Sequence, residues 1–559
     1  MPYGLACRSR RGLRPGHRCT RAAQEPGRLC GSISASQGAE RPYPNAPGPR
    51  SASDLKGEAN TGARDGTADR RTTKGGGKVR RESERPIVPA KRGNPPHGDP
   101  AEGRGRRVTE PLEGNMAEAS NSDPVCTKRQ RIAELARQAP QRGFTSVNHL
   151  IDRRWLYEAY LATRPDGAAG VDGQSGADYA ADLPGNLQAL LDRVKSGTYR
   201  APPVRRVHIP KGTTGETRPI GVPTFEDKVL QRAVVMALEP IYEQDFLDCS
   251  YGFRPGRSAH QALQALWDQA MAMGGGWVVE VDIRSFFDTL DQARLRELLR
   301  RRVRDGVLLR LISKWLHAGV LAGGCLTYPE AGTPQGGVIS PLLANVYLHH
   351  VLDVWFEQEV KPRLKGRAFL IRYADDFVMG FACEEDARRV LEVLPKRFGK
   401  YGLTLHLDKT RLVAFRRPAG PDTAGAGGAG PPGSFDFLGF THHWGRSRRG
   451  RWVVKRRTSR SRFGRALAKI ADWCRRHRHW PLGEQCRALG RKLQGHFGYY
   501  GITGNAEALQ RFRAEVVVLW RKWLGRRARG GGLSWPRFRE LLARFALPVA
   551  RVVHSVYAT

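Results

Sequence analysis

One run of this chain leaves it little conformational freedom: Phe369-Leu-Ile-Arg-Tyr-Ala-Asp-Asp-Phe-Val-Met-Gly380. Two apolar, strand-like stretches flank Ala374-Asp375-Asp376, so the run reads as a β-hairpin with adjacent carboxylates at its tip. Acids side by side on so apolar a hairpin are costly to hold together unless something positive neutralises them. A second acid-bearing run, Trp277-Val-Val-Glu-Val-Asp-Ile283, also reads as a strand and is followed by Arg-Ser-Phe-Phe-Asp288. A pair of Mg²⁺ ions would neutralise such a cluster, since hard cations take oxygen ligands and Mg²⁺ commonly uses one or two carboxylates plus substrate phosphates. Two metals roughly 3.5–4 Å apart can clamp the attacking and leaving oxygens of an in-line phosphoryl transfer. That arrangement requires a third carboxylate from another strand, and Asp282 is the best placed.

The rest of the chain divides into three regions. With 559 residues it has room for several domains, and its formal charge of +39 calls for a polyanionic partner. No stretch approaches the roughly 18 apolar residues that span a bilayer, so a membrane is not expected as the partner. The nine cysteines are scattered without a C-x-x-C pair, which argues against a structural zinc site and a disulfide framework and fits a reducing cytoplasm. Residues 1–115 are rich in Arg, Gly, Pro and Ser, lack either structural period, and read as a disordered arm or as sequence upstream of a later start at Met116. The Arg-rich first thirty residues superficially resemble an organelle transit peptide. This tail carries about +11 (about 23 basic and about 12 acidic residues), so most of the charge belongs to the folded part.

From 116 to 445 helical and extended patterns alternate. Leu187, Leu190, Leu191 and Val194 share a helix face, Val204-Arg-Arg-Val-His-Ile209 reads as a strand, and Pro210-Lys-Gly-Thr-Thr-Gly215 as its turn. The Gly/Pro/Ala stretch 418–433 has the composition of a flexible loop. Residues 446–559 look mainly helical: Leu509, Phe512, Val516, Leu519, Trp520 and Trp523 recur at helical spacing. Arg511, Arg513, Arg521, Lys522, Arg526 and Arg527 flank them, a density that favours contact with an RNA backbone.

Tyr373-Ala-Asp-Asp376 resembles the reverse transcriptase signature, and the blocks around it are similar to those of bacterial group II intron-encoded reverse transcriptase/maturases. The similarity runs from about Ser146 to Ser555. It includes Asp166-Gly-Ala-Ala-Gly-Val-Asp-Gly173, Thr217-Arg-Pro-Ile-Gly-Val-Pro223, Tyr251-Gly-Phe-Arg-Pro-Gly-Arg257, Gly332-Thr-Pro-Gln-Gly-Gly337 and Phe437-Leu-Gly-Phe440. The resemblance implies an α+β right-hand polymerase: an N-terminal extension (116–200), fingers and palm with an antiparallel sheet (201–445), and a helical thumb/maturase domain (446–559). It implies an RNA-directed DNA polymerase that binds group II intron RNA, assists its splicing and copies it during retrohoming. The implied partners are the intron RNA, an RNA template with a DNA primer, target DNA and dNTPs. The implied cofactor is two Mg²⁺ ions, with Mn²⁺ as a substitute.

Residue by residue, Asp282, Asp375 and Asp376 match the family's catalytic, metal-binding triad, whereas Asp288 and Asp291 read as capping or solvated residues. Phe287 falls where this class carries an aromatic that excludes a 2′-hydroxyl; its neighbour Phe286 is expected to face the core. Lys211 and Arg218 flank a turn that resembles the fingers hairpin over the triphosphate. Gln335 matches the residue near the nucleotide sugar, and Lys409 is expected to face the triphosphate. Arg254 and Arg257 are template-contact candidates, an intramolecular salt bridge being the other use for either. Phe437 and Gly439 belong to a segment that resembles the primer grip. Many relatives carry a Cys-bearing His-Asn-His endonuclease that is not expected here. The rival readings are a splicing-only RNA-binding maturase, opposed by the intact acids, and a retron or diversity-generating reverse transcriptase.

Overall fold

The computed structural model describes residues 124–210, 217–328, 332, 336–418, 433–527 and 532–555. The 1–115 tail, Lys211 with its turn, Gln335 and all but the ends of the 418–433 loop lie outside the described residues.

The described chain opens with α1 (Val125–Gln138), α2 (Arg153–Leu161), α3 (Gly176–Ala180) and α4 (Leu183–Lys195). Asp182 caps α4 by accepting the Gly185 N–H, and Leu187, Leu190, Leu191 and Val194 are buried, as their spacing predicts. Strands β1 (Val204–Pro210) and β2 (Thr217–Val222) form an antiparallel pair. Against α1 and α2 packs α5 (Phe225–Tyr242), a helix buried along most of its length.

There follow α6 (Ala259–Met273), β3 (Gly275–Val281), the short α7 (Phe286–Thr289), α8 (Gln292–Arg302), α9 (Gly306–Leu316), β4 (Val320–Ala322) and β5 (Cys325–Thr327). Next come α10 (Ser340–Leu348), β6 (Ala368–Tyr373), β7 (Asp376–Phe381), α11 (Glu384–Gly399) and β8 (Arg411–Arg416). One sheet has the order β2-β1-β4-β5, with β1 parallel to β4. The central sheet, β6-β7-β3-β8, is antiparallel throughout. Its apolar runs are continuous because both faces are covered. Val278, Ile371 and Val378 join a core with Leu263 and Leu266 of α6; Val279, Leu370, Phe377 and Met379 join another with Val390, Leu394 and Phe398 of α11.

The last sheet comprises β9 (Phe435–Phe437), β10 (Phe440–Arg446) and β11 (Trp452–Thr458), and the helices α12 (Arg460–Arg476), α13 (Leu482–Tyr500), α14 (Ala506–Leu524) and α15 (Trp535–Arg544) complete the chain. The hairpin thus carries extended structure past residue 446 to Thr458, where a helical region was expected. Its alternation is hidden by Arg456, which is buried on the face it shares with Val454 and Thr458.

Along α14, Leu509, Phe512, Val516 and Trp520 are buried, as their spacing predicts. Three of the flanking arginines are used within the fold, whereas Arg511, Lys522 and Arg526 are exposed. Arg513 donates to the carbonyls of Leu547 and Pro548, Arg521 to Leu533, and Arg527 to Arg478 and Trp480, so these three tie α14 and the residues after it to the segments on either side of α15 and between α12 and α13. No helix among the described residues is long and apolar enough to cross a membrane.

Candidate active site

The acidic hairpin forms as its sequence requires, with Tyr373 paired to Asp376 across a turn of Ala374 and Asp375. Ala374 has φ +57°, a region that a side chain disfavours, so something must hold the turn. The holder is Arg372, fully buried within the apolar strand. It donates to the Ala374 carbonyl (3.0 Å), to Asn345 Oδ1 (2.9 Å) and to both carboxylate oxygens of buried Asp353 (2.7 and 2.5 Å). Asn345 in turn donates to the Gly252 carbonyl at 2.7 Å. Gly252 lies so close under the turn that a Cβ there would sit 2.3 Å from the Ala374 nitrogen. The Tyr251–Arg257 block is therefore the bed on which the Asp-Asp turn rests.

Strand pairing supplies the third acid. The register Val281↔Phe377 places Asp282, one residue beyond, level with Asp376. The Asp282 carboxylate is 2.8 Å from Lys409 Nζ, and its backbone carbonyl accepts the His406 N–H. Asp376 is reached by solvent yet ringed by protein, as at the floor of a cleft. That surrounding mass, then Asp375 and Asp282, push its carboxyl up to about 7, while Arg462 and Arg218 pull it back. Asp375 is likewise raised by burial, opposed by Arg218.

The other expected residues are distributed around this floor. Arg218 stands exposed on β2, opposite Ile209. Phe286 is buried as expected, and Phe287 beside it is half-buried in α7 with ring centres 5.2 Å apart. Gly332 and Gly336, which stand on either side of Gln335 in the sequence, each lie close against backbone. A Cβ on Gly332 would lie 2.6 Å from the Phe287 carbonyl oxygen, and one on Gly336 would lie 2.4 Å from that of Gly221 in β2. Asp291 caps α8 through the N–H groups of Ala293 and Arg294, and Asp288 is exposed.

Arg254 requires a correction. It is buried, with Nε and Nη2 on Glu243 and Nη1 on the carbonyls of Leu247 and Ser250, so its fork is spent inside the fold rather than offered to a template. Arg257 is partly exposed, 2.6 Å from the open carboxylate of Asp248. Phe437 is buried in β9, and Gly439 lies in the β9–β10 turn. Tyr499 Oη holds that turn at the Leu438 carbonyl, and the Ser459 N–H holds it at the Gly439 carbonyl.

Two parts of the site escaped the sequence reading. Arg462, exposed in the first turn of α12, overhangs the β9–β10 turn: a Cβ on Gly439 would lie 3.5 Å from its Cγ. Nothing in its local sequence singles it out from the neighbouring arginines. The Arg372–Asp353–Asn345 support did leave a sign, a cation inside an apolar strand, which must be paired. Its partners lie 19 and 27 residues away, and no local pattern names them.

Among the described residues no three His, Cys, Asp or Glu side chains stand together as a ready-made metal cage. The donor chemistry nevertheless suits a hard cation, because mutually repelling carboxylates gain from one, and Mg²⁺ relies on a few carboxylates completed by substrate oxygens.

Residues 209–442 match the reverse transcriptase (RNA-dependent DNA polymerase) family. Protein YkfC of Escherichia coli (strain K12) is 36% identical over 328 residues, covering 52% of this chain and 84% of YkfC. The group II intron-encoded protein LtrA of Lactococcus lactis subsp. cremoris is 38% identical over 221 residues, 38% of this chain and 37% of LtrA. Nuclear intron maturase 2, mitochondrial, of Arabidopsis thaliana is 30% identical over 177 residues, 24% of each chain. The chain thus spans most of YkfC and little more than a third of LtrA. The matched segment runs from the end of β1 into β10 and so contains the whole central sheet with its acidic hairpin. On this fold and this kinship, the chain belongs to the reverse transcriptases, the RNA-dependent DNA polymerases of right-hand architecture.

Proposed function

We propose that this chain is an intron maturase as well as a polymerase: it binds group II intron RNA, assists its splicing, and reverse-transcribes it from a DNA primer at target DNA. Reverse transcriptases in general use divalent metal ions; here two Mg²⁺ ions are proposed, with Mn²⁺ as a substitute, held by Asp282, Asp375 and Asp376. When bound, such ions would activate a primer 3′-hydroxyl and stabilise departing pyrophosphate. The observation that carries the reading is the level placement of Asp282 and Asp376 across β3 and β7, with Asp375 beside them.

Around this centre the chain's own groups divide the remaining work. Arg218 and Lys211 neutralise the incoming triphosphate. The Phe287 ring excludes a 2′-hydroxyl, and Gln335 contacts the sugar. Lys409, whose Nζ is 2.8 Å from the Asp282 carboxylate, faces the triphosphate. The β9–β10 turn with Phe437 and Gly439, tied to α12 and α13, positions the primer end, and Arg257 contacts the template. Residues 116–200 form the N-terminal extension, 201–445 fingers and palm, and 446–559 thumb and maturase domain, in a cytoplasmic protein. The thumb and N-terminal extension bind intron RNA, and the RNA itself performs the splicing chemistry.

The test is primer extension on an RNA template with dNTPs and Mg²⁺, comparing wild type with the Asp375→Ala/Asp376→Ala variant. Extension that vanishes in the variant supports the site. A folded, RNA-binding wild type that extends nothing would leave a splicing-only maturase.

A further inference from the structure

Away from the carboxylate cluster, the outer face of α8 and the end of α11 enclose an open cavity of about 440 Å³, lined by Arg294, Glu297, Leu298, Arg301, Lys400 and Tyr401. None of these belongs to the proposed polymerase site. The wall holds three cations and one carboxylate, and Glu297 is already engaged by Arg294 at 3.1 Å. Arg301 and Lys400 are exposed and have no ion pair among the described residues.

A bland explanation covers part of this. Basic residues in the last turn of a helix complement its dipole, and Arg300, Arg301 and Lys400 sit at such ends. It does not cover Arg294, in the first turn of α8, where a cation is disfavoured by about 0.3–1 kcal/mol. Cations that converge on a concave, solvent-open wall repel one another, and a bound anion relieves that repulsion. From Arg294 to Arg301 is about two helical turns, roughly 10 Å. That track is longer than one phosphate group, and exposed Arg300 and Arg304 extend the basic surface at its end.

The geometry points to a docking site for the phosphate backbone of an RNA strand in the α8–α11 pocket, separate from the polymerase cleft. This rests on the reading that the chain binds RNA. Each phosphate neutralised on a single strand contributes about 0.7 to the slope of log K against log salt. For the full chain binding poly(U), measured over a salt series, the Arg301→Ala/Lys400→Ala variant should therefore lose about 1.4 from that slope. Arg310→Ala, an exposed charge on α9 outside the pocket, should leave it unchanged, and inorganic triphosphate at matched ionic strength should displace no more RNA from wild type than from the pocket variant. A loss per charge in Arg310→Ala equal to that in the pocket variant would mean only a general field and would overturn the proposal. So would an unchanged slope in the pocket variant, or a displacement by triphosphate that the pocket variant abolishes, which would make this a small-anion site. A wild type that binds no RNA would remove the broader reading with it.

Discussion

Replacing Gly252 by alanine should disable the polymerase without touching any residue that meets substrate. A Cβ there would stand 2.3 Å from the Ala374 nitrogen, 2.9 Å from the Tyr373 carbonyl carbon and 3.1 Å from the Ala374 Cα, all backbone atoms that no side-chain rotation can clear. Ordinary contact begins near 3.4 Å, so the Asp-Asp turn or its bed must give by about 1 Å. The turn is itself pinned by Arg372 and Asn345, and overpacking at such a place costs about 1–3 kcal/mol of stability. The kinetic effect is larger, since a displacement of about 1 Å at a reacting centre costs on the order of 10²-fold in rate. Single-turnover extension of a DNA primer on RNA, beside a thermal melt, measures both. The expected result is a folded protein with a modestly lowered midpoint and an extension rate down about 10²-fold. A Gly252→Ala rate within about twofold of wild type would refute the claim that this bed sets the position of the acids.

Other perturbations test neighbouring parts of the site. Asp353→Ala leaves the Arg372 guanidinium buried without its carboxylate and should cost about 3–5 kcal/mol in denaturant unfolding; full stability would contradict the pairing. The Asp376 carboxyl is raised from 3.8 to about 7, so the metal-free fold binds more protons there than the unfolded chain does. Its contribution is present below pH 3.8 and is lost as pH rises through about 7. The metal-free melting midpoint should therefore carry a falling component over that interval that Asp376→Asn removes, while Mg²⁺ affinity climbs over the same interval; identical midpoint profiles for both proteins would count against it. Phe287→Ala should lower the preference for dNTP over rNTP in competitive incorporation by about tenfold or more, and an unchanged preference would assign the ring to packing alone.

Local patterns were enough for several elements. The acidic hairpin follows from two apolar runs around a short acidic turn, and α4 and the α14 stripe follow from their 3.6-residue period, because these features depend on which face of an element is buried. The same reasoning failed at β11, where a buried Arg456 breaks the alternation a strand is recognised by.

What a charge does once the chain has folded is a different matter. Arg254 and Arg257 lie in one seven-residue block and look alike in sequence. The first is enclosed by Glu243 and two carbonyls; the second remains at the surface. Lys409 meets Asp282 only because the segment after α11 returns beside β3, and Arg462 reaches the cleft only because α12 packs over the β9–β10 turn. Residue type and period determine that a run is a strand or a helix and which face it buries. Charge pairing depends on distances of a few ångströms between segments far apart in sequence. So the amino-acid order by itself determined the acidic hairpin and the family blocks around it, and the tertiary structure decided which cations serve the site and which hold the fold.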